Sequence, residues 1–136
     1  MSMDQCNYTV VFDDYTKNHY VKSFKKKYGD KAWALTENAI ISVCEHIDKW
    51  QLTNLIDKIK SSGDFTVYKI DFTVPGTKES PKTSGNRYIA LADEANRTVR
   101  VLFVYAKTDI VGNHETVWWK KVVSSINENA ANVLNI

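Results

Sequence analysis

At 136 residues, 43% apolar and 25% charged, the chain has the composition of an ordinary globular domain and is long enough to bury a real core without staples. A formal net charge of +2 excludes a strongly polyanionic or polycationic protein, so the placement of charge matters more than its sum. Two cysteines, Cys6 and Cys44, exclude a disulfide framework and lack metal-ligand spacing.

Free thiols of this kind suit a reducing cytoplasm. The opening "MSMDQCNYTV" shows neither the basic start nor the apolar core of a signal peptide. No apolar run approaches the ~20 residues of a bilayer span. A cytoplasmic location is the expectation.

The stretch "YTVVFDD" is β-branched and aromatic and ends in two acids, which predicts a short strand followed by a cap. In "TKNHYVKSFKKKYG", Tyr20, Val21, Phe24 and Tyr28 recur at helical spacing, with Thr16 as a cap and Gly29 as the stop. Lys25, Lys26 and Lys27 make the other face a solvated one. Asp30 then caps a longer helix whose stripe is Trp33, Ile40, Cys44 and Ile47, and the two form an antiparallel hairpin. "QLTNLIDKIKSSG" reads as a shorter amphipathic helix with Leu52, Leu55, Ile56 and Ile59 inward, ending at Gly63.

The period then changes to two. Tyr68, Ile70, Phe72 and Val74 alternate with Val67, Lys69, Asp71 and Thr73, and Pro75 and Gly76 close the strand. "TKESPKTSG" is a loop carrying Lys78 and Lys82. "NRYIALAD" and "TVRVLFVYAKT" are strands apolar on consecutive positions, hence central, and the polar turn "EANR" joins them. "HETVWWKKVVSSI" is a last helix, with Val117, Trp118, Lys121 and Val122 near the right spacing. Trp118 and Trp119 are adjacent, so one packs inward and the other is left for a partner surface. The tail "NENAANVLNI" frays or adds a turn. The expected architecture is one α+β domain over residues 1–136: a small antiparallel four-stranded sheet, an N-terminal helical hairpin and a C-terminal helix.

Charge at strand ends needs a reason. With the turn centred near Ala95, opposed hairpin residues sum to about 190. This sets Arg87 opposite Phe103 and Lys107 opposite Thr83 and Ser84. Arg87, Lys107 and Lys82 then converge on one sheet face as a site for a phosphate, with Arg as a planar fork and Lys as a compact charge. The competing reading pairs Arg87 with Asp71 on the neighbouring strand. His19, His46 and His114 are scattered without metal-binding spacing, and His114 beside Glu115 begins the last helix near Lys107. No cofactor is expected.

"GNRYIALADEANRTVRVLFVYAKTD" resembles the core hairpin of the RelE/ParE toxin superfamily: Gly, Arg and apolar residues, an acidic turn, then a strand ending in aromatic, small, Lys. The resemblance extends over Tyr8 to Ile126, is motif-like over Ser80 to Asp109, and puts the motif-bearing core at about residues 65–126. It implies the toxin of a type II toxin–antitoxin system, inhibited by an antitoxin protein. That toxin would be a metal-independent mRNA endoribonuclease acting at the ribosome or, in the ParE branch, a non-catalytic DNA gyrase inhibitor. Carried over position by position, Arg87 matches the arginine at the scissile phosphate, and Lys82 and Lys107 the family's other catalytic cations. Lys69, Lys78, Tyr88, Tyr105 and His114 become candidates for RNA contact, the tyrosines by stacking on bases.

Overall fold

The structure is a computed structural model and describes residues 7–50, 55–74, 85–106, 110 and 114–135. Five strands form one sheet in the order β1-β5-β4-β3-β2: β1 Thr9–Phe12, β2 Ile56–Ser62, β3 Phe65–Phe72, β4 Asn86–Asp93 and β5 Thr98–Ala106. The helices are α1 Asp14–Asn18, α2 Tyr20–Tyr28, α3 Asp30–Glu45, α4 Ile47–Trp50, α5 Glu115–Ile126 and α6 Glu128–Leu134. No described helix is long and apolar enough to cross a membrane.

The sheet departs from the expected four antiparallel strands in two respects. First, β1 runs parallel to β5, with Thr9 level with Thr98 and Phe12 level with Val101. Second, the segment expected as a short helix after residue 51 contributes strand β2, antiparallel to β3 with Ile56 level with Ile70. Ile56 and Ile59, three apart, would share a helix face. On the strand they go to opposite sides: Ile56 joins the core under α3 and Ile59 the core under α6. The tight turn at Gly63, with φ +60°, connects β2 to β3. Leu52 lies outside the described residues.

Helices cover both faces. Val21, Phe24, Trp33, Ile40 and Cys44 of α2 and α3 pack against Tyr68, Ile70, Tyr88 and Val101. Trp119, Val123, Ala130 and Val133 of α5 and α6 pack against Val67, Ile89, Leu91 and Leu102 on the opposite face. Each large apolar side chain removed from water in this way contributes about 1.5–3 kcal/mol. Strand β4 is buried through seven of its eight residues, as its unbroken apolar run required.

The remaining helix signals are right in position and wrong in detail. Asp13, not Thr16, caps the first helix, accepting from the Tyr15 N–H, and the chain breaks at His19. Gly29 occupies the N-cap position of α3, and Asp30 is its first residue. In α5 the inward side chains are Trp119 and Val123, while Val117 is 53% exposed, so the stripe lies one position further along than expected. The tail forms α6, capped by the Asn127 side chain accepting from the Ala130 N–H.

Strand β5 is irregular near its middle. Its register with β4 shifts between Ile89, opposite Phe103, and Ala90, opposite Val101, leaving Leu102 as a bulged residue. The buried Thr16 hydroxyl donates to the Leu102 carbonyl at 2.9 Å, which ties α1 to the strand just past the end of β1. Thr16→Val leaves that carbonyl without its donor, and the expected loss is about 1–3 kcal/mol, read as a lowered urea midpoint.

Candidate functional site

Strand pairing lays three side chains in one row: Asp71 of β3 faces Arg87 of β4, and Arg87 faces Tyr105 of β5. The expected partner of Arg87 was Phe103. The four-residue turn Glu94–Arg97 and the bulge at Leu102 move the register by two positions. Lys69 lies two residues before Asp71 and so on the same face. From above the sheet comes Glu115, the first residue of α5.

These groups form one ion-pair cluster. Arg87 Nε lies 3.2 Å from Asp71 Oδ1 and 3.3 Å from Glu115 Oε2. Lys69 Nζ lies 3.4 Å from the same Glu115 oxygen, and the Tyr105 hydroxyl donates to it at 2.6 Å. Arg87 Nη1 donates to the Gly85 carbonyl at 3.3 Å. Neither carboxylate lies along the Nε–H direction, so the two Arg87 contacts are Coulombic rather than hydrogen-bonded. Arg87 and Asp71 are each 8% exposed, whereas the Lys69 and Glu115 side chains keep 19% and 20%. Among the described residues two cations therefore meet two carboxylates, and the cluster opens to solvent at its Lys69–Glu115 end.

Burial tends to raise the Glu115 carboxyl. The Tyr105 hydrogen bond and the charges of Lys69 and Arg87 outweigh it, and the carboxyl sits below its ordinary value. Burial first, then the bond to Glu115, pushes the Tyr105 phenol far upward, so Tyr105 remains a proton donor to Glu115 at neutral pH. The combination is an ionised carboxylate held by a phenol and two cations. It can accept a proton, and the cations beside it can hold an anion.

Next to the cluster runs an open groove of about 260 Å³, between α1–α2 and the end of β5. Tyr15, Phe103, Tyr105 and Trp118 line one side; Tyr20, Phe24 and Tyr28 of α2 line the other. Tyr105 belongs to both places, with its ring stacked on Phe103 and its hydroxyl in the cluster. Among the described residues no group of three or more His, Cys, Asp or Glu is placed to hold a metal.

The expected site residues fare unequally. Lys69, Arg87 and Tyr105 come together. Lys78, Lys82 and Lys107 lie outside the described residues. Tyr88 is corrected from a stacking ring to a core residue: strand alternation turns it to the other face, where it is 1% exposed against Phe72 and Cys44. Cys44 is core too, and burial pushes its thiol up to about 12. His114 is exposed at the N-cap of α5 with no side-chain capping bond. Glu115 is the residue that reading by motif passed over. Its signal was present: an acid at the first turn of a helix that packs on a sheet face carrying Lys69 and Arg87.

No protein-family model and no curated protein sequence matches the chain. Among solved structures, the chain is similar to a chain of the archaeal RelE–RelB complex from Pyrococcus horikoshii OT3. Identity is 10%, the alignment covers 76% of this chain and 99% of that one, and the TM-score is 0.49.

Removing one member of a buried ion cluster leaves its partner uncompensated. Arg87→Met is expected to cost about 3–5 kcal/mol in urea unfolding at neutral pH, and adding Asp71→Asn should recover part of it. The Glu115 carboxyl is depressed on folding, so its contribution is present above the unfolded carboxyl's value and fades as pH falls through the folded one. The stability gap between wild type and Glu115→Gln should therefore be widest near neutrality and close below about pH 4, checked by thermal melts across that range.

Proposed function

We propose that this chain is the toxin of a type II toxin–antitoxin pair, a RelE-like domain that cleaves mRNA at the ribosome without a metal and is silenced by an antitoxin protein. The observation that carries the reading is the Glu115 carboxylate, poised at the solvent-facing end of the cluster and flanked by Tyr105, Lys69 and Arg87. The resemblance of Ser80 to Asp109 to the toxin hairpin supports the same reading.

In the reaction a phosphodiester oxygen takes Glu115's place beside Arg87, exchanging one anion for another. Glu115, still held by Tyr105 and Lys69, removes the proton from the ribose 2′-hydroxyl. The 2′-oxygen attacks the adjacent phosphorus in line, and the bond to the 5′-oxygen breaks, leaving a 2′,3′-cyclic phosphate. Arg87 and Lys69 hold the charge of the pentavalent state, and Lys82 or Lys107 protonates the departing 5′-oxygen.

A second reading is favoured by one feature. Arg87 is buried and charge-balanced by two carboxylates, which suits a structural pivot. On that reading the chain acts by binding, as a gyrase-type inhibitor does, and makes no cut.

Purified protein added to translating ribosomes, with cut sites mapped by primer extension, separates the two. The expected result is cleavage by the wild type and a loss of about 10²–10⁴-fold in Glu115→Gln, with an unchanged circular dichroism spectrum. Intact mRNA with folded wild-type protein would discard the nuclease and leave the binding reading.

A further inference from the structure

We propose that the aromatic groove between α1–α2 and β5, which adjoins the ion-pair cluster at Tyr105, is a nucleotide-binding site that holds a base between its rings and the attached phosphate at Lys27. The site does not depend on the cleavage reaction above.

The rings come first. On one side a continuous series runs from His19 to Tyr15 at 4.3 Å between centroids, to Phe103 at 5.7 Å, and to Trp118 at 5.2 Å. On the other, Tyr20, Phe24 and Tyr28 follow one another along α2 at 5.7 and 4.7 Å. Phe24, Phe103 and Tyr105 are buried, while Tyr15, Tyr20, Tyr28 and Trp118 keep solvent-facing surface. The two series, on different elements, line an open volume of about 260 Å³. That is below the ~300–1,000 Å³ of pockets for drug-sized ligands and suits one nucleotide unit. Every base has a π-face, and stacking on protein rings is the general mode by which unpaired bases are held.

Polarity then narrows the ligand. Ser23 and His19 share the lining with the rings and offer hydrogen-bonding groups to a base edge or a ribose. Lys27 lines the same groove, its ammonium 5.1 Å from the Tyr28 ring centroid. Beyond it Lys22, Lys25 and Lys26 are exposed on α2, and among the described residues none of these four lysines is ion-paired. The dipole at the end of α2 explains basic residues in its last turn, but not one facing an aromatic groove. A planar aromatic body carrying a negative charge is the ligand this combination fits. Free mononucleotides and a strand of single-stranded RNA share that chemistry.

The test uses the full chain and tryptophan fluorescence, with Trp118→Phe to assign the signal. Adenylate, uridylate and a short single-stranded adenylate oligonucleotide are titrated in turn. Saturable quenching that weakens with salt is expected, lost in Trp118→Phe and weakened about tenfold in Lys27→Glu and Tyr28→Ala. Both are exposed positions whose circular dichroism spectra should not change. An oligonucleotide binding tenfold or more tightly than adenylate assigns the groove to a strand; equal affinities assign it to the free nucleotide. No quenching by any of the three at millimolar concentration, or binding indifferent to both α2 variants, would overturn the proposal. So would polyglutamate binding where nucleotides do not. Glu115→Gln should keep adenylate binding while losing cleavage, so failure of the groove and failure of the nuclease are told apart.

Discussion

A guanidinium cannot shed its proton, so wherever the backbone buries one, anions must accompany it. Strand alternation carries Arg87 under α5, and that fact organises this side of the molecule. Asp71 answers it from the adjacent strand and Glu115 from the helix, which pins the start of α5 over the β3–β4 pair. With that end held, Trp119 and Val123 fall onto Ile89 and Leu102. An apolar row of similar volume would be at least as stable, because desolvating four charges offsets most of their attraction. What the charged row adds is a defined position for the helix and an ionised carboxylate at a solvent-facing edge.

The second constraint is the short reach of β1. It ends at Phe12, level with Val101, while β5 continues to Ala106. The bulge at Leu102 and the hook of Thr16 lead the chain around that stretch of strand, and α2 then crosses to the opposite face to bury Val21 and Phe24. Between the two, the rings of β5, α1 and α5 stand apart from those of α2. Tyr105 joins this groove to the charged cluster through one side chain, ring on one side and hydroxyl on the other.

Much of this was legible in the chain itself, residue by residue. The stripe Trp33, Ile40, Cys44 and Ile47 is buried as its spacing implied, and the alternation of β3 put Lys69 and Asp71 on one face. The polar turn falls at Glu94 to Arg97, where Asp93 accepts from Asn96. Strand β2 was hidden because Ile56 and Ile59 fit a helix as well as a bulged strand, and nothing local separates the two. Glu115 was hidden for a related reason: its role depends on Lys69 and Arg87, 46 and 28 positions away in the chain.

Local patterning by itself determined where the chain turns, which stripes are apolar, and that Arg87 and Lys69 ride on strands, because those properties depend on neighbours a few residues away. Tertiary structure alone decided that β1 runs parallel to β5, that Tyr88 is core while Tyr105 reaches the site, and that Glu115 completes it. Each is settled by packing or by charge compensation between segments far apart in sequence, where the free energy of the contact belongs to neither segment on its own.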